Sequence, residues 1–178
     1  MRFIRVAGAA VNQTPLDWTG NLRRIKSVIH DAKKQKVQLL VLPELCLTAY
    51  GCEDLFFSLE TSENACKLLS QLLPLTSDIA VLLGMPIYFE GALYNCAVMI
   101  ADGKILGCYA KKHLAREGVH YEPRWFQPWP QGIQREVEVC GQVVPLGDFI
   151  FKFGDIGVAV EICRRSVGFG ACSFCVCV

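Results

Sequence analysis

A chain of 178 residues, 52% hydrophobic and 20% charged, is long enough for one domain with a sizeable core and too apolar to be disordered. Its net charge of +1, with Lys and Arg scattered rather than clustered, leaves no electrostatic footprint for nucleic acid. The apolar stretch near the N-terminus is interrupted by Asn12-Gln13, and no window approaches the ~18 apolar residues of a membrane span, so the chain reads as soluble and cytoplasmic.

The first strand is expected over Val6–Val11. A polar connection follows, and a helix is predicted to begin at Thr19 or Asn21, both good N-cap types. Leu22, Ile25, Val28, Ile29 and Ala32 then recur at helical spacing, with Arg23, Arg24, Lys26, Lys33 and Lys34 on the other face. "VQLLVLPE" is a continuous apolar run, as expected of a strand buried on both sides. A second amphipathic helix is predicted over Thr61–Leu73, stopped by Pro74, and "DIAVLLGMP" is a second buried strand. This alternation points to an α/β fold with helices layered on a sheet.

"ALYNCAVMI" and "KILGCYA" flank "ADG", an Asp-Gly turn that predicts a hairpin. Residues 111–148 carry Pro, Gly, Trp and charge without clear periodicity and read as a long structured loop. "DFIFKFG" and "DIGVAVEIC" give two further strands. Ten cysteines, seven of them dispersed singly through apolar or turn segments, read as reduced thiols in the absence of a secretory signal. The Cys172-x-x-Cys175 spacing has no second pair or histidines beside it, so no metal site is expected.

Three strand ends carry chemistry. "LLVLPE" places Glu44 past one strand, "LGCYAKKH" places Lys111 past another, and "GVAVEIC" ends on Cys163. Ligands of layered α/β folds bind beyond the carboxyl ends of the strands, where these groups would converge. A thiolate attacks carbonyls, a carboxylate takes the thiol proton, and an ammonium favours the thiolate and the oxyanion. That set suits amide cleavage through a thioester, although each residue taken singly reads more simply as a loop glutamate, a solvated basic pair and a core thiol.

The segments "LPELCLTAYGCEDLF", "GMPIYFEGALYNCAVMI", "KKHLAREGVHYEPRWFQPW", "VPLGDFIF" and "GVAVEIC" resemble the nitrilase (carbon–nitrogen hydrolase) superfamily. Within it they resemble the glutaminase domain of glutamine-dependent NAD synthetases. The resemblance implies a four-layer α-β-β-α sandwich, here incomplete at its C-terminus. It places the family's base on Glu44, its lysine on Lys111 and its nucleophile on Cys163. It also places pocket residues on Tyr50, Glu122 and Glu117, the last standing where many relatives have tyrosine. Glutamine is the implied substrate, and the ammonia released would amidate deamido-NAD. No cofactor is implied for amide hydrolysis; ATP and magnesium belong to a synthetase domain, whose Gly-rich ATP loop is not found in this sequence. A synthetase domain in the same polypeptide and homo-oligomerisation are the implied partnerships.

The resemblance fades after Cys163, where relatives carry an acidic pair and an aromatic and this chain has Arg164-Arg165-Ser166-Val167. The expected division is a partial hydrolase domain over residues 1–163 and an aberrant tail over 164–178. Exposed apolar surface, low solution stability and no turnover are expected of such a chain alone. The competing readings are a stand-alone amidase or nitrilase-like hydrolase and a non-catalytic fragment.

Overall fold

The computed structural model describes residues 3–116 and 121–162, together with the backbone of 174–177. The tail expectation for 164–178 lies outside the described residues, apart from the strand backbone at 174–177.

The first strand, β1, is shorter than expected, Val6–Gly8, and pairs in parallel with β2, Leu39–Val41. Between them α1 spans Trp18–Lys34. Its N-cap is Asp17, not Thr19 or Asn21, because the Asp17 carboxylate accepts from Gly20 N at 3.0 Å. Asn21 lies inside the helix, where its buried amide donates to Thr14 O and Leu47 O. An Asx residue can cap a helix or tie down a neighbouring loop, and tertiary contact selected the second role here.

The second helix, α2, covers Leu59–Leu72, and Pro74 falls in the 3-10 turn Leu73–Leu75 that follows. β3 (Ala80–Phe89) lies parallel to β2 and antiparallel to β4 (Ala92–Ala101). β5 (Lys104–Ala110) completes a meander, turning through Asp102 and Gly103 at φ 48° and 75°. Both values are left-handed, as a two-residue hairpin turn requires.

The long loop expected over 111–148 is a loop only in its first part. β6 (Gln134–Val139) and β7 (Gln142–Gly147) form a hairpin around Cys140 and Gly141, whose φ values are 52° and 73°. The alternation of Val137 and Val139 with Glu136 and Glu138 is a strand signal that the preceding Pro- and Trp-rich segment obscured. β7 joins β5 in parallel, giving a seven-stranded sheet in the order β1-β2-β3-β4-β5-β7-β6. β8 (Phe151–Phe153), β9 (Ile156–Ile162) and β10 (Phe174–Cys177) form a second, antiparallel sheet.

Strand side chains alternate between faces, so neighbours serve different cores. Leu40, Val81, Leu83 and Val98 face Ile25, Ile29, Leu69 and Leu72 of the two helices. Leu39, Leu82, Ala97, Met99 and Tyr109 face Phe151, Val158, Val160 and Ile162 of the second sheet. The large sheet is therefore covered on both sides, which explains its unbroken apolar runs. The described part is an α-β-β arrangement, with helices on one face of the large sheet and the second sheet on the other. Among the described residues no helix is long and apolar enough to cross a membrane.

Candidate active site

Leu42 N donates to Leu82 O at 2.8 Å, extending the β2–β3 register until Pro43 turns the chain. Glu44 comes next, over β3, and Leu45 and Ala49 take left-handed backbone at φ 50° and 66°. The turn lies flat on Gly84. A Cβ there would stand 2.7 Å from Glu44 Cα and closer still to Leu45 N. Only a glycine admits the Glu44 backbone so near the strand.

Lys111 follows the last residue of β5 and is tied at both peptide groups. Its N–H donates to Asn95 O and its carbonyl accepts from Trp129 N, both at 2.9 Å. The side chain is 1% exposed, and Nζ donates to Glu44 Oε1 at 2.6 Å and to Glu122 at 2.9 Å. Asn95, fully buried on β4, directs its Nδ2 to both carboxylates: Glu44 Oε1, and Glu122 Oε1 at 3.0 Å. Ala115 N donates to Glu122 Oε2 at 2.6 Å. The four side chains make one closed network in which a buried ammonium and an amide bridge two buried carboxylates.

Burial raises the Glu44 carboxyl from 4.5 to about 7, with Lys111 opposing the rise and the Glu122 charge adding to it. Burial acts against the Lys111 ammonium, yet the two carboxylates outweigh it and hold its pKa above that of an ordinary lysine. A carboxyl group titrating near neutrality is matched to taking and returning a proton. Glu44 Oε2 is buried and meets no donor among the described residues, so one carboxylate oxygen is kept from the network.

A second set of contacts holds the loop that carries Glu122. Asp54 accepts a bidentate pair from Arg124 at 2.6 and 2.7 Å and a third bond from Trp125 Nε1 at 3.0 Å. The Arg124 bonds, with that of Trp125, draw the Asp54 carboxyl down to about 2. Behind them Phe56 packs on Phe126 with ring centroids 4.9 Å apart. Two segments far apart in sequence, "YGCEDLF" and "EPRWF", are thus two halves of one clasp. Tyr50 leans on the same apolar cluster with its ring half-buried.

The structure brings Glu44, Lys111 and Glu122 together and sets Tyr50 beside the neighbouring cluster, while Cys163 and Glu117 lie outside the described residues. The sequence reading missed Asn95. Its signal was a lone amide inside the apolar strand "ALYNCAVMI", where a buried polar group requires partners. Among the described residues no cluster of three or more His, Cys, Asp or Glu has the arrangement to hold a metal ion.

Comparison with known proteins gives a consistent answer. The mouse glutamine-dependent NAD(+) synthetase is 37% identical over 175 residues, covering 92% of this chain and 24% of that protein. The Arabidopsis thaliana protein of the same name is 35% identical over 176 residues, 93% of this chain and 24% of its own length. The chain thus spans about a quarter of the curated relatives it matches. Among solved structures, a glutamine-dependent NAD(+) synthetase from Cytophaga hutchinsonii superposes with TM-score 0.83 at 42% identity, over 86% of this chain and 27% of that one. An amidase from Nesterenkonia sp. shares the fold at TM-score 0.62 and 24% identity, over 80% of this chain and 54% of its own. The Carbon-nitrogen hydrolase family profile matches residues 5–172, and the chain belongs to that family.

Proposed function

We propose that this chain is the glutamine-hydrolysing part of a glutamine-dependent NAD synthetase, with Cys163 as nucleophile, Glu44 as general base and Lys111 as electrostatic partner. The observation that carries the reading is the buried Glu44–Lys111 pair at 2.6 Å, with one Glu44 oxygen free of the described donors. In the first step the Cys163 thiol gives its proton to Glu44 and the sulfur attacks the side-chain amide carbon of glutamine. Lys111 stabilises the oxyanion that forms. The C–N bond breaks as Glu44 returns the proton to the departing ammonia, leaving a thioester. Water then attacks that thioester, Glu44 takes its proton, and glutamate leaves as the thiol is regenerated.

Glu122 holds Lys111 from the far side and keeps the ammonium charged, while Tyr50 and Glu117 border the substrate. In the longer relatives, ammonia would pass to a synthetase portion that uses ATP and magnesium to amidate deamido-NAD. The test is covalent trapping by a glutamine-mimicking diazoketone, read by mass spectrometry, together with glutamate release against a Cys163→Ala control. An adduct on Cys163 that free glutamine prevents is expected, with no glutamate release above the Cys163→Ala control from this chain by itself. An adduct on another cysteine, or turnover that survives Cys163→Ala, overturns the assignment. Hydrolysis of other amides with none of glutamine would favour the stand-alone amidase reading.

A further inference from the structure

A second group of thiols lies away from the catalytic network, where α2 meets the β6–β7 hairpin. Cys66 on α2 and Cys140 in the hairpin turn are both half-buried, 74 residues apart in sequence. As a thiol, Cys140 donates to the Cys66 carbonyl at 3.2 Å, and the Ser70 hydroxyl donates to the same carbonyl at 3.0 Å. A Cys140 thiolate at this position would be stabilised by the Cys66 thiol and by Ser70. The Cys66 hydrogen bond is the main cause that lowers Cys140 to about 6, and the same bond raises Cys66. Beneath them Cys108 is fully buried and pushed well up by burial, so it stays a thiol and takes no part. Two free, partly exposed thiols, one of them within 3.2 Å of the other residue's carbonyl, are the pairing thiol–disulfide chemistry requires.

We propose that Cys66 and Cys140 form a peroxide-responsive dithiol that closes to a disulfide between α2 and the β6–β7 hairpin. The Cys140 thiolate attacks one oxygen of hydrogen peroxide, breaking the O–O bond and releasing hydroxide, and becomes a sulfenic acid. The Cys66 sulfur then displaces the sulfenic oxygen, forming the S–S bond and releasing water. Two thiols are oxidised and one peroxide is reduced to two waters, counting the thiol protons. The bond would fasten a helix to the far edge of the sheet without touching Glu44 or Lys111.

The test uses the full chain, reduced, then treated with hydrogen peroxide and digested without reductant at glutamate. Cleavage isolates Cys66 in residues 64–90 and Cys140 in residues 139–161, each the sole cysteine of its fragment. The expected product is a joined fragment lighter than the sum of its parts by two hydrogens, which dithiothreitol separates. With Cys66→Ser, dimedone should label residues 139–161; with Cys140→Ser, residues 64–90 should stay reduced under the same dose. The proposal is overturned if both fragments stay reduced while other cysteines are oxidised. It is equally overturned if they join to other cysteines, or if Cys66 is oxidised at an undiminished rate in Cys140→Ser. Mapping of the unaltered chain decides the outcome even where a variant fails to fold.

Discussion

Replacing Glu44 with glutamine should change how stability depends on pH. Burial holds the folded carboxyl at about 7 against 4.5 when exposed, so between those values the folded chain binds a proton that the unfolded chain has released. Stability contributed by this group is then present below pH 4.5 and lost as pH rises through about 7, the loss being complete by about pH 8. A rise of that size corresponds to on the order of 3 kcal/mol at about 1.4 kcal/mol per unit. The amide introduced by Glu44→Gln cannot titrate, and its oxygen still accepts from Lys111 and Asn95. The assay is urea unfolding of both proteins at pH 5, 6, 7 and 8. Subtracting one pH profile from the other cancels the shared groups that do not touch Glu44. The unaltered chain should lose on the order of 3 kcal/mol more between pH 5 and pH 8 than Glu44→Gln does. Parallel profiles would show that the Glu44 carboxyl is ionised throughout and would refute the argument from burial.

Lys111→Met removes the ammonium that two buried carboxylates share and should destabilise the fold by about 3–5 kcal/mol at pH 8, and by less at pH 5 where Glu44 can take a proton; the same urea series measures it. Gly84→Ala forces a methyl group against the Glu44–Leu45 backbone, so a cost of about 1–3 kcal/mol and a lower Tm are expected, and an unchanged Tm would mean the turn can lift away freely. Asp54→Asn weakens the clasp to Arg124. Because the Asp54 carboxyl is held down to about 2, its contribution is complete above its ordinary 3.8 and lost as pH falls towards 2. The variant should therefore show a flatter acid limb in pH-dependent melting.

The strands were legible wherever apolar runs were long. "VQLLVLPE" and "DIAVLLGMP" are buried on both faces because helices cover one side and β8–β9 the other, and no competing pattern reads the same way. The β4–β5 turn announced itself through Asp102-Gly103, whereas the Cys140-Gly141 turn did not, since cysteine has no preference for left-handed backbone. Helix α1 was correct in its apolar stripe and wrong in its cap, because three polar residues compete there and long-range partners decide among them. Glu44 and Lys111 stood out from their place after strands and from family resemblance. Their direct pairing, and the amide of Asn95 between the carboxylates, depend on how β4 and β5 lie beside β2. That is a property of sheet order, and no local spacing encodes it.

The sequence separations inside the buried network fix an order of assembly. Asn95 and Lys111 meet across the β4–β5 hairpin, and Glu122 is only 11 residues beyond Lys111, whereas Glu44 is 67 residues away and arrives with a parallel strand. Local antiparallel contacts form quickly, and long-range parallel pairing waits on loop closure. The lysine is thus expected to pair first with Glu122 within the meander, with Glu44 docking afterwards. Changes at Asn95 or Lys111 should slow refolding, while changes at Glu44 should chiefly speed unfolding. The Glu44 carboxylate would be, in kinetic terms, the last member to join the buried network and the first to leave it.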